Sequence, residues 1–375
     1  VDGHDFIEKC FAQGAVCALC EKAPENATKP CIVVSSTLDA VKKIGRAYRE
    51  KFDIPVIGIS GSVGKTSTKE MLYAVLSQRF KTHKTQGNLN NELGVPLTLL
   101  SMPEDTEAAV IEMGISDFGE MTRLSEMVQP TICVLTIIGE CHLENLGDRD
   151  GVLKAKTEMF KNACENADFI LNGDDDKLST VKTVNGKKPV FFGLDAKNDF
   201  YAKNIKNSGD GKVLATLCFD NNNIDVEIPA IGTYMVTNAL AAAAAGKLLG
   251  LTDEEIANGV ASYKTVGSRA NVINTGKIKI IDDCYNANPT SVRASLDTLS
   301  NLDGRKVAIL GDMKELGSEE LKLHFDTGVY AKSKDIGTVI TVGELAKELA
   351  KGADGKAFDT IEDAKSEILK TIKSG

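Results

Sequence analysis

The stretch GISGSVGKTST, residues 58–68, decides the fold prediction for this chain, because it joins two different patterns of apolar residues. Before it, residues 54–57 form a short apolar run that is typical of a buried strand. After it, apolar residues recur at helical spacing within residues 69–76. A strand, a glycine-rich loop and a helix form the context of a phosphate-binding loop, in which backbone amides and the helix N-terminus bind phosphate oxygens. The stretch therefore predicts a nucleoside triphosphate site.

The loop departs from the strict pattern G-x-x-x-x-G-K-[ST], because Ile59 stands where the first glycine belongs. Its glycines are Gly58, Gly61 and Gly64, in the order G-x-x-G-x-x-G-K-T. The lysine and the hydroxyl are kept, so we expect Lys65 to reach the β- and γ-phosphates and the Thr66 hydroxyl to bind Mg²⁺. The alternative is a glycine-rich turn that binds nothing, and the strand and helix around the loop argue against it.

Composition limits the classes of protein to which the chain can belong. Its 375 residues predict two or three domains, and its net charge of −9 argues against binding to nucleic acid or to a membrane surface. No run of about 18 apolar residues is present that could span a bilayer. Nine scattered cysteines suit free thiols in a reducing cytoplasm, and the lone C-x-x-C at residues 17–20 cannot close a tetrahedral metal site. We expect a cytoplasmic monomer.

Strand and helix patterns alternate along the chain, which predicts an α/β fold with a mostly parallel sheet. We divide it into a partial N-terminal α/β domain (residues 1–53), a central ATP-binding domain with the phosphate-binding loop (54–267) and a C-terminal Rossmann-like α/β domain (268–375). In parallel sheets, ligands bind beyond the carboxyl ends of the strands. Glu112 and His142 each follow a predicted strand, so we expect both to lie beside the loop.

These two side chains allow more than one interpretation. Glu112 suits Mg²⁺, which prefers hard oxygen donors, but it could instead pair with Lys65 or with a nearby helix end. His142 could bind a second metal ion or phosphate, although a lone histidine is more often structural. Lys156 lies in a predicted helix that is rich in lysine, and no local sequence pattern distinguishes it from the other lysines as a functional residue.

Six segments, read together, resemble the Mur ligase family. They are residues 58–68, 85–96, 110–114, 136–144, 282–289 and 311–317, and they occur in order across nearly the whole chain. Within the family, Y-N-A-N-P at 285–289 and G-D-M-x-E-L-G at 311–317 are similar to those of the member that adds D-alanyl-D-alanine.

The resemblance implies a three-domain, ATP-dependent ligase of peptidoglycan precursor biosynthesis. ATP would phosphorylate the terminal carboxylate of UDP-N-acetylmuramoyl-tripeptide, and the amine of D-alanyl-D-alanine would then attack the acyl phosphate. Two Mg²⁺ ions and Lys65 would offset the charge on the transferring phosphoryl group.

The resemblance also implies a role for each of a set of residues. The catalytic set is Lys65, Glu112, His142 and Lys156. The metal ligands are Thr66, Glu112, His142 and Lys156, the last as a carbamate, which supplies oxygens where an ammonium cannot. ATP would contact Gly61, Ser62, Val63, Gly64, Lys65, Thr66 and Ser67, with Asn238 at adenine and Arg269 and Asp283 at phosphate and ribose. The acceptor peptide and the dipeptide would contact Asn88, Asn90, Asn91, Tyr285, Asn286 and Asn288. For the Asn88–Asn91 loop the alternative is a helix cap, and for residues 285–288 it is a structural strand-to-helix turn.

The chain also departs from the family pattern. Val63 replaces the usual Asn or Ser of the loop, and the S-x-D-S-R and K-G-S segments near the two ends of the family are absent. Because Val1 and Gly375 fall inside domains, we expect an incomplete chain that binds ATP poorly and lacks full ligase activity. A fully active preparation of residues 1–375 would refute this expectation.

Two other functions remain as alternatives. One is another amide ligase of the same superfamily, of the folylpolyglutamate or cyanophycin synthetase type. The other is a nucleotide-binding homologue that has lost catalysis.

Overall fold

The structure is a computed structural model that describes residues 2–208 and 211–372. Val1 and Gly375, on which the expectation of an incomplete chain rests, lie outside these described residues. Within them, no helix is both long enough and apolar enough to cross a membrane.

The N-terminal part is a small α/β unit that packs against the central domain. It contains α1 (Ile7–Ala12), β1 (Ala18–Cys20), β2 (Cys31–Val33) and α2 (Thr37–Arg49), and its two strands pair in parallel. The Ser36 side chain begins α2 by accepting a hydrogen bond from the amide of Asp39 at 3.2 Å. The buried Arg49 at the end of α2 donates to the carbonyl of Val128 at 2.9 Å. The unit is therefore joined to the central domain by α2.

A parallel sheet of six described strands forms the centre of the molecule, in the order β4-β5-β3-β6-β7-β8. This confirms the predicted mostly parallel sheet. The strands are β3 (Val56–Ser60), β4 (Thr82–Lys84), β5 (Ala108–Glu112), β6 (Ile132–Leu135), β7 (Asp168–Asn172) and β8 (Val190–Phe192). The middle strands β3, β5 and β6 are fully buried, as their continuous apolar runs predict.

Helices cover both faces of this sheet. They are α3 (Lys65–Leu76), α4 (Gly94–Leu100), α5 (Glu120–Val128), α6 (Leu143–Leu146), α7 (Arg149–Thr157), α8 (Tyr234–Leu248) and α9 (Asp253–Ala261). The alanine-rich α8 is buried on nearly all sides, which confirms the prediction of a buried helix. The polar, asparagine-rich sequence of residues 85–96 predicts a loop, but α4 already begins at Gly94 because Val95 and Leu99 enter the core.

A second, antiparallel sheet packs against the outer side of α8. Its strands are β9 (Tyr201–Ser208), β10 (Lys212–Phe219) and β11 (Asn222–Ile228). The sequence indicated β10 and β11 but not β9, whose residues are mostly polar and exposed. The sequence also predicts that the run at 189–192 belongs to this antiparallel group, but residues 190–192 form β8 and pair in parallel with β7.

The C-terminal domain has a small hairpin and a parallel three-stranded sheet. The hairpin pairs β12 (Asn271–Asn274) with β13 (Lys279–Asp282). The apolar run at 278–281 predicts the first strand of a βαβ unit, but it pairs antiparallel with β12 instead. The parallel sheet contains β14 (Val307–Gly311), β15 (Thr338–Val342) and β16 (Lys356–Phe358). The helices are α10 (Pro289–Ser300), α11 (Glu320–Ser333), α12 (Ala346–Ala353) and α13 (Ile361–Thr371).

Helices α11 and α12 lie unusually close together because a glycine from each helix faces the other. A Cβ on Gly328 would overlap the carbonyl of Leu349, and one on Gly352 would overlap the carbonyl of Phe325. This contact fixes the helix pair beside β15.

We expect Gly328→Ala to lower the free energy of unfolding by about 1–3 kcal/mol, the usual range for overpacking. Replacing glycine by alanine stabilises a helix by only about 1 kcal/mol. The steric overlap should therefore outweigh this gain and make the variant less stable. Chemical denaturation measures the change. Gly3→Ala is the control, since a Cβ there meets nothing within 4 Å, and an equal loss in both variants would contradict the packing argument.

Candidate functional site

The phosphate-binding loop lies between β3 and α3 and is held against the segment that follows β6. The amide of Ser62 donates to the carbonyl of Ile137 at 2.7 Å, and the Thr136 hydroxyl donates to the carbonyl of Val63 at 2.5 Å. Gly61 and Gly64 have φ angles of 150° and 85°, which L-residues with side chains rarely adopt. The loop is therefore shaped by two glycines and by contacts from a neighbouring strand end.

Gly58, which the sequence placed among the loop glycines, lies inside β3 instead. A Cβ there would come within 2.7 Å of Met113 Cε and 3.0 Å of Pro130 Cβ. Its role in the structure is close packing of the strand.

We expect Gly61→Ala to raise the Kd for ATP by about 10-fold or more. A Cβ at this position would overlap Thr136 Oγ1, in addition to the unfavourable φ angle, and such strain costs about 1–3 kcal/mol. A fluorescent ATP analogue measures the affinity. Gly186→Ala is the matched control, because its φ is 80° and a Cβ there meets nothing within 4 Å. Unchanged affinity in Gly61→Ala would contradict the expectation.

Lys65 and Glu112 both lie at this loop but do not pair with each other among the described contacts. Lys65 Nζ donates to the carbonyl of Gly61 at 2.7 Å, so the ammonium folds over the loop. Glu112 is only 1% exposed and accepts from Thr66 Oγ1 at 3.0 Å and from Asn90 Nδ2 at 2.9 Å. The carboxylate predicted to bind a metal ion is thus directly beside the threonine hydroxyl with the same predicted role.

The basic partner of Glu112 is Lys69, which the sequence analysis did not single out. Lys69 is 1% exposed, and its Nζ lies 3.5 Å from Glu112 Oε2 and 3.3 Å from Glu70 Oε1. Glu70 also pairs with Lys84. Two lysines and two glutamates therefore balance one another beneath the loop, as buried charges require.

Lys156 is buried on α7, and His142 directly precedes α6. Burial lowers the pKa of Lys156 to about 8, with Lys65 adding to the effect and Cys141 opposing it. Burial also lowers the pKa of His142; the charges of Lys156 and Lys65 add to this effect, and Glu315 opposes it. That His142, Lys156 and Lys65 act together in one site stays a prediction.

The asparagine loop before α4 contacts Glu112 through Asn90 and caps α4 through Asn91. Asn90 bonds to Glu112, as described above. Asn91 Oδ1 accepts from the amides of Leu93 at 3.2 Å and Gly94 at 2.8 Å, which supports the helix-cap alternative for that residue. Asn88 contributes its carbonyl to the amide of Asn90 at 2.7 Å.

Two further residues predicted to contact ATP lie behind the loop. Asn238 is buried on α8, and its Oδ1 accepts from the Thr68 hydroxyl at 2.9 Å. Ser67 lies in the first turn of α3. Their contacts with nucleotide stay predictions.

The predicted residues of the C-terminal domain form a group around β13. The guanidinium of Arg269 lies 4.2 Å from the ring centroid of Tyr285, which is half exposed. Asp283 accepts from the amide of Ala270 at 3.0 Å. Asn288 Oδ1 accepts from the amide of Ser291 at 2.9 Å and begins α10, so the structural alternative holds for its side chain. Asn286 accepts from the amide of Ala287.

Comparison with known proteins identifies this arrangement. The family model described as Mur ligase middle domain matches residues 59–246, and the model described as Mur ligase, glutamate ligase domain matches residues 268–375. The UDP-N-acetylmuramoyl-tripeptide–D-alanyl-D-alanine ligase of Bacillus subtilis (strain 168) is 38% identical over 359 residues, which cover 94% of this chain and 77% of that protein. The chain belongs to the Mur ligase family. The resemblance that the motifs indicate is thereby confirmed.

Solved structures of Mur ligases agree with the fold. A crystal structure of MurF from Acinetobacter baumannii is 33% identical, with a TM-score of 0.93 over 99% of this chain and 82% of that chain. The MurF ligase of Thermotoga maritima, solved in complex with ADP, is 29% identical, with a TM-score of 0.88 over 100% of this chain and 86% of that chain.

The donor atoms of this Mur ligase suit Mg²⁺ bound together with phosphate. The described residues contain no group of three or more His, Cys, Asp or Glu that could hold a metal ion by themselves. In phosphoryl-transfer sites, Mg²⁺ is bound by one or two carboxylates together with substrate phosphates and water. The Thr66 hydroxyl and the Glu112 carboxylate form such a partial set.

Sequence reasoning missed Lys69, Glu70 and Glu315 in this Mur ligase. Lys69 and Glu70 directly follow the loop motif, and two adjacent charges inside an apolar helix pattern were the available signal. Glu315, the partner of His142, is 173 residues away along the chain. No local spacing could connect the two.

Proposed function

We propose that this chain joins D-alanyl-D-alanine to UDP-N-acetylmuramoyl-tripeptide with the use of ATP, in peptidoglycan precursor biosynthesis. The observation that carries the proposal is the clustering of Lys65 and the Thr66–Glu112 pair at one phosphate-binding loop. A ligase that forms an acyl phosphate needs such charges to act on a transferring phosphoryl group. The named relative and its coverage of this chain support the choice of substrates.

The reaction has two steps in which atoms and charge balance. A carboxylate oxygen of the tripeptide attacks the γ-phosphorus of ATP, and ADP leaves with the electron pair of the broken P–O bond. The amine of the dipeptide then attacks the acyl carbon, loses a proton, and phosphate leaves. Lys65 stabilises the negative charge on the phosphoryl oxygens in the first step, because its ammonium lies over the loop that binds them.

Thr66 and Glu112 would hold one Mg²⁺, and His142 with carbamylated Lys156 would hold a second. Bound there, the ions would neutralise phosphate charge during transfer. Lys156 can react with CO₂ only as a neutral amine, and burial favours that form by lowering its pKa to about 8. A carbamate would turn this buried amine into a pair of oxygen donors.

The remaining proposed contacts follow the placement of the other site residues. Residues 61–67 would contact the ATP phosphates, with Asn238 near adenine and Arg269 and Asp283 from the C-terminal domain. Asn88, Asn90 and Asn91 would contact the acceptor peptide, and Tyr285, Asn286 and Asn288 the dipeptide. We assign residues 1–53 to the domain that binds the uridine nucleotide, residues 54–267 to the ATP-binding domain and residues 268–375 to the C-terminal Rossmann-like ligase domain. We propose that the protein is a cytoplasmic monomer.

The test is ATP-dependent phosphate release by the full protein, with the nucleotide-linked tripeptide and the dipeptide supplied alone and together. We expect release only when both are present, with a new amide product seen by mass spectrometry. Release with a different amine acceptor would assign the chain to another amide ligase. Binding of ATP without release under any of these conditions would assign it to the homologues that have lost catalysis.

A further inference from the structure

The loop at residues 139–144, called the His142 loop below, is contacted from the C-terminal domain at two places. Thr290 Oγ1 at the start of α10 donates to Glu140 Oε2 at 2.7 Å. Glu315 Oε2 accepts from His142 Nδ1 at 2.5 Å, and Gly317 lies against the backbone of Glu144. The Thr290 contact comes from the residue directly after the Y-N-A-N-P segment at 285–289, and the contacts of Glu315 and Gly317 come from the G-D-M-x-E-L-G segment at 311–317. These segments therefore meet one loop of the central domain.

The C-terminal domain fixes the place of Glu315 by itself. Asp312 Oδ1 accepts from the amide of Ala346 at the start of α12, at 2.8 Å. The amide of Met313 donates to His324 Nε2 at 2.9 Å, and the side chains of Met313 and Leu316 are buried in the core of that domain. Glu315 and Gly317 of this segment then meet the His142 loop.

Both residues of the pair have left-handed backbone conformations, with φ of 51° at His142 and 62° at Glu315. Residues other than glycine adopt this conformation where surrounding structure imposes it, most often at functional sites. The two side chains are thus presented to each other by constrained backbones on opposite sides of the interface.

A carboxylate can only accept a hydrogen bond, so its contact with Nδ1 requires the proton to be on that nitrogen. In the neutral ring this leaves Nε2 as the nitrogen with the lone pair, and it also fixes the ring plane. The tautomer of His142 is therefore determined by a residue of the other domain.

We propose that Glu315 is a positioning residue for the ligase reaction, orienting His142 from across the domain interface. The phosphoryl site is then complete only when the C-terminal domain, which carries the proposed dipeptide residues, is docked on the His142 loop. This inference rests on the proposed function. It explains why G-D-M-x-E-L-G places a glutamate between two residues that are buried in the domain core.

Three variants test the proposal at constant pH. Glu315→Ala removes the acceptor, Glu315→Gln keeps an oxygen that can accept from Nδ1, and Glu319→Ala is the control at a nearby exposed carboxylate. We expect kcat of Glu315→Ala to fall by about 10- to 100-fold, the usual loss for a group that orients a ligand side chain. Glu315→Gln should recover most of it, Glu319→Ala should match the parent protein, and the KM for ATP should change little.

A second readout does not depend on activity. The chain has four histidines, so ring-nitrogen NMR of histidine-labelled protein can report the tautomer of His142, assigned with a His142→Gln variant. We expect the Nδ1-protonated form in the parent protein and in Glu315→Gln, and a shift towards the other tautomer in Glu315→Ala. Thr290→Val weakens the same interface without touching His142, so it should leave the tautomer unchanged and slow the reaction less.

The proposal is wrong if Glu315→Ala keeps the parent tautomer, if Glu315→Gln is as slow as Glu315→Ala, or if Thr290→Val is equally slow. If the parent protein forms no amide product, the proposed function fails instead. The NMR measurement would still decide whether Glu315 orients His142.

Discussion

Lys65→Met is expected to lower kcat for ATP-dependent phosphate release by about 10²- to 10³-fold, as the loss of one preorganised charge at a transferring group does. Lys65 Nζ is held over the phosphate-binding loop by the carbonyl of Gly61 at 2.7 Å. Methionine keeps most of the length of the side chain but cannot offset charge on the phosphoryl oxygens. Initial-rate kinetics with both substrates measure the effect.

Lys161→Met is the control for this variant, because Lys161 is an exposed lysine on the same domain. It should keep the activity of the parent protein. A Lys65→Met protein with normal kcat would show that phosphoryl transfer does not depend on this ammonium, and the proposed role of the loop would be wrong.

Lys156→Met should abolish most of the activity, with a loss of about 10²-fold or more, comparable to other electrostatic groups at a reacting centre. Lys156 is almost completely buried, and a methionine of similar volume can pack there but cannot form a carbamate. Lys154→Met on the same helix is the matched control, since Lys154 is exposed. Equal activity in the two variants would contradict the proposed role.

The carbamate itself can be detected without an activity assay. Protein equilibrated with ¹³C-bicarbonate should show a carbamate carbon by NMR that is missing in Lys156→Met. Because the amine has a pKa of about 8, its neutral fraction increases as the pH rises towards and past that value. The carbamate signal should therefore grow between about pH 6 and pH 9, and a signal that falls over this range would contradict the assignment.

The sequence predicted the elements that local patterns encode. Continuous apolar runs indicated β3, β5 and β6, and Glu112 and His142 lie at or beyond the ends of β5 and β6, although their shared site stays a prediction. Strand β9 was missed because its sequence, YAKNIKNS, is mostly polar and packs only a few side chains on α8. The hairpin of β12 and β13 was missed because its partner strand, NVIN, is too short to show a period.

The interactions that tune the site could not be predicted from sequence in the same way. Lys69 forms an ion pair with Glu112, and Glu315 contacts His142, although the residues of each pair are far apart in the sequence. The second pair is separated by 173 positions. The lowered pKa of Lys156 arises from burial, which a lysine-rich helix pattern does not suggest. Such properties depend on how the strands are ordered in the sheet and on how the domains meet.

The burial of helix α8 determines how the central domain exchanges its amide hydrogens with solvent. Its small side chains are enclosed by the parallel sheet, by α3 and by the antiparallel sheet, so no one of these layers can separate without exposing it. Its amide hydrogens should therefore exchange with solvent only through global unfolding of the central domain. Through Asn238 and Thr68, the helix behind the phosphate-binding loop is bonded to this slowest-exchanging part of the chain. Helix α3, which follows the loop, should therefore be among the last elements of the central domain to exchange its amide hydrogens.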